Sequence, residues 1–430
     1  MIYLLGILIS LAAGFLLIRF LAPQRFNLII HILLALALGL GIDGTVTFYT
    51  HILCDQFNRF LPVGIVVLGT LIIYFRKYYS LPKIQMTKEI KWGLLTLSLL
   101  AIPLAICAHY FPLGGWDAWS CWNLKAKFIF LGHENWKDVL APDFWRSNTQ
   151  YPLLWPLINV WFWDLGGSFD QAIPMLNSVV IALLTAGILL FGILELTGQL
   201  LTSILAAVIV TALPFNVILF TSQYSDSLLG LYLLSALMCL LLAEKHHLPK
   251  LKILSMVFLG LMSFTKTEGL VLTCIVTSGF FWHERSHKKE FKDLLLAFLV
   301  AALPAIIFTL FIAPKNEAFV NGLLSTDKPT TWSRLSVILI YPWFEFISGK
   351  WNCFWLLALG GILLAGKRIW RSTLGMIGLS LILYLGVVLA YYAVNTYFEI
   401  VWWLGQTFSR ILFALLPTIT LWIALGLMAV

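Results

Sequence analysis

The sequence predicts an all-α polytopic membrane protein, and three observations carry that prediction. Of its 430 residues, 60% are hydrophobic and 11% are charged, whereas soluble domains average about 45–50% apolar and about 25% charged residues. Mean hydropathy is +0.92. Apolar runs of about 20 residues, long enough to cross a bilayer as helix, recur along the chain. The formal charge of +8 falls in short clusters between these runs, a pattern that orients membrane proteins and argues against nucleic-acid binding.

The first 91 residues contain three predicted spans, at residues 1–21, 28–49 and 60–75. A connector follows that carries one acidic residue, Glu89, and five cations: Arg76, Lys77, Lys83, Lys88 and Lys91. By the positive-inside rule this connector is cytoplasmic. The next span, residues 92–110, therefore runs outward and delivers Asp117 to the outer face.

Residues 111–163 are the longest stretch that is neither an obvious span nor a short connector. Loops of this length are usually functional or disordered, and this one is too rich in Trp, Phe and Leu to be disordered. We expect a folded cap on the outer face, in which Trp116, Trp119 and Trp122 frame Asp117. Such a frame would exclude water and suit a general base.

Residues 152–163, at the end of the cap, measure about 18–20 Å as a helix, which is too short for a hydrocarbon core of about 30 Å. We expect them to lie along the outer surface. The next spans are predicted at residues 172–194, 201–220 and 228–243, before a basic connector that runs from Lys245 to Lys252 and is cytoplasmic by its charge.

The apolar run at residues 253–282 is interrupted by Thr265-Lys266-Thr267-Glu268-Gly269. A single crossing would place the cations that follow it on the outer face, so we expect a hairpin of two short helices with its tip near the outer half of the membrane. The last predicted spans are residues 294–313, 351–365, 373–394 and 411–430, with outer segments at 314–350 and 395–410.

These assignments predict about 13 membrane helices. They divide the chain into three N-terminal spans with a basic connector (1–91), a membrane module that includes the cap (92–313), and C-terminal spans with outer segments (314–430).

Four ionisable features fall on the predicted outer face or at outer membrane depth: Asp117, Asp226, the Lys266/Glu268 pair and Arg410. Charges at that depth are costly, so each is a functional candidate. Each also has a structural alternative. Asp117 and Asp226 fit helix N-caps, Lys266 and Glu268 can pair with each other across a turn, and Arg410 can face lipid phosphate.

A metal site is not indicated. His133 and Glu134 are adjacent, so on a helix they point apart, and no second ligand pair is spaced to help them. No cofactor is therefore expected, and a divalent metal is not indicated.

Trp116-Asp117-Ala118-Trp119, followed by Trp122 and Lys125-Ala126, is similar to the first outer loop of GT-C-type glycosyltransferases, which use polyprenyl-phosphate sugars. The chain resembles the bacterial protein O-mannosyltransferase and lipid A aminoarabinose transferase group. Tyr151-Pro152-Leu153 resembles that group's Pro-Pro-Leu segment, and residues 221–226 and 260–269 resemble later segments. The likeness covers residues 92–282. It departs at Asp117-Ala118, where many members have two acidic residues, and this departure leaves a paired-carboxylate or metal-dependent mechanism unsupported.

The resemblance implies a GT-C-like helical bundle with an outer loop subdomain, in a bacterial inner membrane with the site facing the periplasm. It implies sugar transfer from a polyprenyl-phosphate-linked donor to a lipid, glycan or protein acceptor, with membrane lipids as surroundings. Asp117 would be the general base. The residues expected to bind substrate are Asp226, Lys266, Glu268, Arg410, Trp116, Trp119, Lys125 and Tyr151.

Two other hypotheses stay open. A transporter or flippase of a lipid-linked substrate would use the same outer cavity and would have broken helices at the bilayer midplane. A structural subunit of an envelope assembly predicts that the four charged features do not converge.

Overall fold

A computed structural model describes residues 1–21, 27–54, 60–76, 86–285, 290–315 and 332–428, apart from the side chain of residue 145, and the regular elements in these ranges are helices. The first half of the chain contains α1 (Ile2–Leu21), α2 (Leu28–Leu53), α3 (Phe60–Arg76), α4 (Lys88–Tyr110), α5 (Asn123–Gly132), α6 (Leu154–Gly166), α7 (Ala172–Thr197), α8 (Leu200–Ala212) and α9 (Pro214–Thr221). The second half contains α10 (Ser225–Lys245), α11 (Leu251–Ser263), α12 (Thr267–His283), α13 (Phe291–Ile307), α14 (Trp332–Ile347), α15 (Phe354–Ala365), α16 (Ser372–Val394) and α17 (Ile400–Met428).

Eight helices in the described ranges are long and apolar enough to cross a membrane: α1, α2, α4, α7, α10, α13 with its π-helical end, α16 and α17. Together α8 and α9 make a ninth if they count as one span, although the chain bends by 64° between them. The all-α, multi-pass prediction is confirmed, whereas the number of about 13 is not. Several predicted spans are shorter as helices, such as α11 with 13 residues and α15 with 12.

Helix α10 is the centre of the bundle, because its residues from Ser225 to Ala243 are all buried. It packs against α7, α11 and α17, and α11 packs in turn against α12 and α13. A helix that is apolar on every side is typical of a protein core or a membrane span, and α10 is enclosed by other helices along this whole length. The charged residues of α10 itself, Asp226, Glu244 and Lys245, lie at its two ends.

The interrupted run at residues 253–282 forms a hairpin of α11 and α12. Lys252, at the start of α11, pairs with Glu284, just after α12, at 2.7 Å. The open ends of the hairpin therefore lie together, and Lys266 lies at the opposite end. We call the end with Lys266, Asp226 and Asp117 the site end, and the end with Lys245, Lys252 and Glu284 the connector end.

The expectation that residues 152–163 lie along a surface is wrong, because α6 is buried from Leu154 to Asp164 and packs against α2 and α5. Its residues are mostly apolar, and the Asn159 side chain accepts from the Asn177 amide inside the bundle at 2.9 Å, so no face requires water. The length rule correctly argued against a crossing, but a short apolar helix can also be enclosed by protein.

The expected boundary at Arg410 is also wrong, because α17 begins at Ile400 and Arg410 lies inside it. The Glu399 carboxylate accepts the backbone N–H groups of Val401 and Trp402 at 2.9 and 2.7 Å and so caps the helix start. Arg410 therefore projects from a rigid helix next to buried Ser409 and Ile411.

Candidate functional site

Five charged side chains form a continuous chain of contacts at the site end, in the order Asp117, Arg410, Asp226, Lys266 and Glu268. Arg410 Nη1 donates to Asp117 Oδ2 at 2.5 Å. Lys266 Nζ lies 3.2 Å from Glu268 Oε1. All four charged features singled out in the sequence therefore converge, which the structural-subunit hypothesis did not predict.

Asp226 is the centre of this chain. Its Oδ1 accepts from Lys266 Nζ at 3.1 Å, and its Oδ2 accepts from Arg410 Nη2 and Nε at 2.7 and 3.2 Å. The Asp226 side chain is only 5% exposed. Each of its oxygens thus has a cationic donor, and removal of this carboxylate would leave two buried cations close together.

Asp117 and Asp226 do not act as N-caps. Asp117 precedes a π-helical turn, Ala118–Trp122, without a capping hydrogen bond, and its carboxylate turns to Arg410 instead. Asp226 lies in the first turn of α10, which begins at Ser225, and the N-cap position is occupied by Tyr224. Single π-helical turns occur often at functional sites.

The loop after α4 positions Asp117 by docking on the turn between α9 and α10. Gly115 N–H donates to the Ser222 carbonyl at 3.1 Å, and the Gln223 side-chain amide donates to the Pro112 carbonyl at 2.9 Å. Gly114 has φ +69°, a conformation that favours glycine. The sequence Pro-Leu-Gly-Gly thus lets two backbones approach closely enough to bring Asp117 beside α17.

Tyr224 links this loop to Arg410. The guanidinium carbon of Arg410 lies 4.3 Å from the centre of the Tyr224 ring, and the Tyr224 hydroxyl accepts the Asp117 N–H at 3.4 Å. A Cβ on Gly115 would come within 2.2 Å of that hydroxyl. The absence of a side chain at Gly115 therefore allows Tyr224 to hold Arg410 from one side.

The hairpin tip is fixed from two directions. Ser225 Oγ donates to the Thr265 carbonyl at 2.8 Å, and Leu154 N–H donates to the Phe264 carbonyl at 3.1 Å. Lys266 is consequently held at the edge of Asp226. Burial lowers the pKa of Lys266, but the Asp226 and Glu268 carboxylates raise it by more, so the net direction is upward and the ammonium form is favoured.

Tyr151 lies between two lysines, with Lys266 Nζ 5.6 Å and Lys125 Nζ 5.7 Å from the ring centre. It also stacks on Trp122 at 5.5 Å with the two planes 11° apart. Lys125 is fully buried and donates to the Asn148 carbonyl at 2.6 Å, and burial lowers its pKa. Lys125 therefore orients Tyr151 and is enclosed by protein.

The expected aromatic frame of Asp117 differs from the observed one. Trp116 and Trp119 are 67% and 46% exposed and contact each other edge to face at 4.3 Å, whereas Trp122 is buried. Asp117 thus has Arg410 beside its carboxylate instead of a water-excluding set of indoles. The two exposed rings form an apolar surface next to the site.

A cavity of about 210 Å³ adjoins Glu268 and Tyr151. Tyrosines on α16 form much of its opposite wall: Tyr384, Tyr391 and Tyr392. Glu268 Oε2 is buried and, within the described residues, has no hydrogen-bond partner. The cavity therefore presents an unused carboxylate oxygen among aromatic rings.

Sequence reasoning missed Tyr224 and the three tyrosines of α16. Tyr391 and Tyr392 lie near a span end, where tyrosine is common in membrane-interface belts, so their position alone does not mark a site. A useful signal was the clustering of three tyrosines in one half of an otherwise aliphatic span.

One group of side chains in the described ranges has metal-ligand geometry, and it lies at the connector end. Single ligand atoms of Glu244, His283 and Glu284 lie within 4.8 Å of one another. Glu284 is already paired with Lys252, and Glu244 accepts from the Thr373 hydroxyl. His133 and Glu134 instead border a separate cavity of about 170 Å³ with His51.

Comparison of this chain with known protein families, with curated proteins and with solved structures finds no match.

Proposed function

We propose that the protein is a membrane glycosyltransferase that moves a sugar from a polyprenyl-phosphate donor to an acceptor hydroxyl at the site end. The observation that carries this proposal is the convergence of Asp117, Arg410, Asp226, Lys266 and Glu268 beside the tyrosine-lined cavity. In this proposal the site end faces the periplasm of a bacterial inner membrane.

Stability alone gives weak grounds for such a cluster. Desolvation of buried ion pairs offsets much of their attraction, and well-packed apolar residues often serve equally well. Here residues as distant in sequence as Asp117 and Arg410 are brought together in an otherwise apolar bundle. Buried charge that stability does not require is typical of functional sites.

The two cations suit the phosphate of the donor. Guanidinium groups match phosphate oxygens in a bidentate geometry, and ammonium groups bind them as point charges. Arg410 and Lys266 are already held against rigid elements, so little ordering is required when a phosphate arrives. The apolar helices around them offer a path for the polyprenyl chain.

Three carboxylates surround these two cations, so the five groups carry one excess negative charge. A donor phosphate therefore has to compete for Arg410. The Asp117 contact is the one it displaces most easily, because Asp117 makes one contact with Arg410 whereas Asp226 makes two. Release from Arg410 leaves the Asp117 carboxylate free to accept a proton from the acceptor hydroxyl, so donor binding prepares the base.

Transfer then proceeds by direct displacement. The acceptor oxygen forms a bond to the anomeric carbon while the bond from that carbon to the phosphate oxygen breaks, and the electron pair leaves with the phosphate. Asp117 takes the acceptor proton, and Arg410 and Lys266 stabilise the charge that grows on the phosphate. A single base with a phosphate leaving group favours inversion at the anomeric carbon.

The tyrosine-lined cavity is the proposed position of the sugar ring. Its volume is about 210 Å³. Glu268 Oε2 and the tyrosine hydroxyls supply polar partners, and the ring faces supply flat apolar surface. Trp116 and Trp119, which are exposed beside Asp117, offer a surface for the acceptor.

A transporter or flippase is the second candidate, and the bend of 64° between α8 and α9 favours it, since a broken span directly precedes the Ser222–Tyr224 turn of the site. Against it, the charges lie at one end of the bundle, whereas transporter sites usually lie near the midplane.

The test is transfer of labelled sugar from polyprenyl-phosphate donors by membranes that contain equal amounts of wild type, Asp117→Asn or Asp138→Asn. Asp138 is an exposed carboxylate of the same cap and serves as the matched control. Wild type and Asp138→Asn should transfer equally, and Asp117→Asn should be slower by about 10²–10⁴-fold. Equal transfer by Asp117→Asn would overturn its role as base. A failure of wild type with every donor, combined with donor flipping in liposomes, would replace the enzyme by the transporter.

A further inference from the structure

The connector end contains a cavity of about 430 Å³ that the proposed reaction does not use. Three cations line it: Lys245 at the end of α10, Arg368 after α15 and Arg371 before α16. The hydroxyl-bearing residues Ser372 and Thr373 lie between them at the start of α16. The remainder of the wall is mostly leucine: Leu196, Leu241, Leu374 and Leu425.

The positive charge of this cavity is not cancelled by ion pairs. Lys245 Nζ donates to the Leu196 carbonyl at 2.5 Å, and Arg368 donates to the Ala365 and Leu364 carbonyls, both at 3.2 Å. In the ranges that the structure covers, no carboxylate pairs with Lys245, Arg368 or Arg371. Lys245 and Arg368 are therefore oriented by backbone carbonyls, while the charges of all three cations stay available.

The acidic residue in the wall, Glu244, is occupied elsewhere. Its carboxylate accepts from the Thr373 hydroxyl and lies 3.4 Å from His283 Nε2. Three cations thus outnumber one partnered carboxylate. The charge of the cavity favours an anion.

A second cavity, of about 520 Å³, begins where the first ends, since both are lined by Ser372. It runs between α12 and α16 and is mostly apolar, with Ile275 on one side and Met376, Leu379 and Leu383 on the other. From Ser372 to Leu383 a helix rises about 16 Å. That length is close to half of a hydrocarbon core of about 30 Å, which is the depth of one leaflet.

We propose that these adjoining cavities bind one phospholipid with an anionic headgroup. Its phosphate lies among Lys245, Arg368 and Arg371, and one acyl chain lies in the groove between α12 and α16. A free phosphate would use the cations but leave the groove uncovered, and a neutral lipid would use the groove but not the cations. Basic pockets between membrane helices recognise anionic headgroups in this way.

This inference does not depend on glycosyl transfer, but it connects the two ends of the bundle. Helices α12 and α16 also supply Glu268 and the tyrosines of the cavity at the site end. A lipid in the groove contacts both helices over the half of each that is nearer the connector end. Loss of the lipid should therefore loosen the site end without a change in any site residue.

The test uses the purified full chain in detergent micelles, with phosphatidylglycerol or phosphatidylcholine added, and native mass spectrometry to count bound lipids. The variants are Arg368→Gln/Arg371→Gln and, as a matched loss of two charges in another basic segment, Lys88→Gln/Lys91→Gln. Each cation near an anionic lipid contributes about fivefold to binding, so the first variant should bind one phosphatidylglycerol about 25-fold more weakly. The second should bind it as wild type does.

Three outcomes would overturn the proposal. If both double variants bind phosphatidylglycerol equally weakly, binding depends on the net charge of the protein and not on a specific site. Equal retention of phosphatidylcholine and phosphatidylglycerol would remove the role of the cations. Displacement of the lipid by millimolar inorganic phosphate would identify a free-phosphate site instead.

Discussion

The two ends of the bundle both gather charged side chains from separate helices, but they do so in different ways. At the site end the side chains of Asp226 and Lys266 are 5% and 6% exposed. At the connector end those of Glu244 and His283 are 34% and 27% exposed. The Lys252–Glu284 pair at the connector end is also buried, at 12% and 7% exposed. Three further cations there line a cavity without carboxylate partners among the described residues, whereas at the site end the cations are paired and a carboxylate oxygen of Glu268 is unused. The convergence of five charged side chains beside a cavity is what distinguishes the site end as the candidate active site.

The largest expected effect comes from Asp226→Ala. It removes the only residue that contacts both Arg410 and Lys266 in the described network, and so leaves two buried cations without their shared partner. We expect a loss of about 3–5 kcal/mol in the free energy of unfolding. Glu244→Ala at the connector end should cost about 1 kcal/mol or less, since that carboxylate is partly solvated. Denaturation of both variants in the same micelles measures the difference, and equal losses would contradict the contrast between the ends.

Arg410→Lys should have the next largest effect. An ammonium group cannot reproduce the two contacts with Asp226 and the one with Asp117 at the same time. Loss of a charge-assisted hydrogen bond costs about 1.5–3 kcal/mol, so we expect a loss of that order in unfolding free energy and a higher KM for the donor. At the connector end, Lys252→Arg should keep its pair with Glu284. Wild-type stability and KM in Arg410→Lys would mean that the bridging geometry has no role.

Gly115→Ala tests the docking of the cap loop. A Cβ at Gly115 would lie 2.2 Å from the Tyr224 hydroxyl, so the ring that holds Arg410 must shift. Overpacking of this kind costs about 1–3 kcal/mol. In the same cap, Gly132 has open space around it, and Gly132→Ala should be neutral or stabilising by about 0.4–1 kcal/mol. The two variants should differ in thermal unfolding and in transfer rate. Wild-type behaviour of Gly115→Ala would mean that the loop can shift without cost to accommodate the added Cβ.

The smallest effect is expected for Tyr224→Phe. It keeps the aromatic face over Arg410 and removes a hydroxyl whose contact with Asp117 N–H is long, at 3.4 Å. We expect less than about 1 kcal/mol in unfolding free energy. Tyr224→Ala, which also removes the ring, should cost more. Similar losses for both would show that the hydroxyl contact with Asp117 N–H, and not the ring face over Arg410, is the stabilising part of Tyr224.

The candidate residues could be predicted from the sequence because charges in apolar runs are rare, and that rule selected Asp117, Asp226, Lys266, Glu268 and Arg410. Their pairing could not be predicted, since Asp117 and Arg410 are 293 residues apart and meet only through the packing of α10 and α17. Fold class follows from hydropathy in the same direct way. The number of spans does not, because hydropathy cannot separate a crossing helix from an enclosed one such as α6.

Arg410 illustrates a second limit. The segment before it contains Trp402, Trp403 and Gln406, which lower its resemblance to a span, and the capping of α17 by Glu399 depends on two backbone N–H groups. Tyr384, Tyr391 and Tyr392 were missed for a related reason. Their rings line a cavity whose other wall comes from α12. The residues near them in sequence do not predict this contact between two separate helices.

In the proposed mechanism, the donor phosphate displaces the Asp117 carboxylate from Arg410. The most direct measurement is an experimental structure of the full chain with a polyprenyl-phosphate ligand, compared with the ligand-free chain. We predict that the phosphate contacts Arg410 and Lys266. The Arg410–Asp117 contact of 2.5 Å should then be lost, while the Arg410–Asp226 contacts remain. A phosphate bound elsewhere, or bound here with the Arg410–Asp117 contact intact, would contradict it.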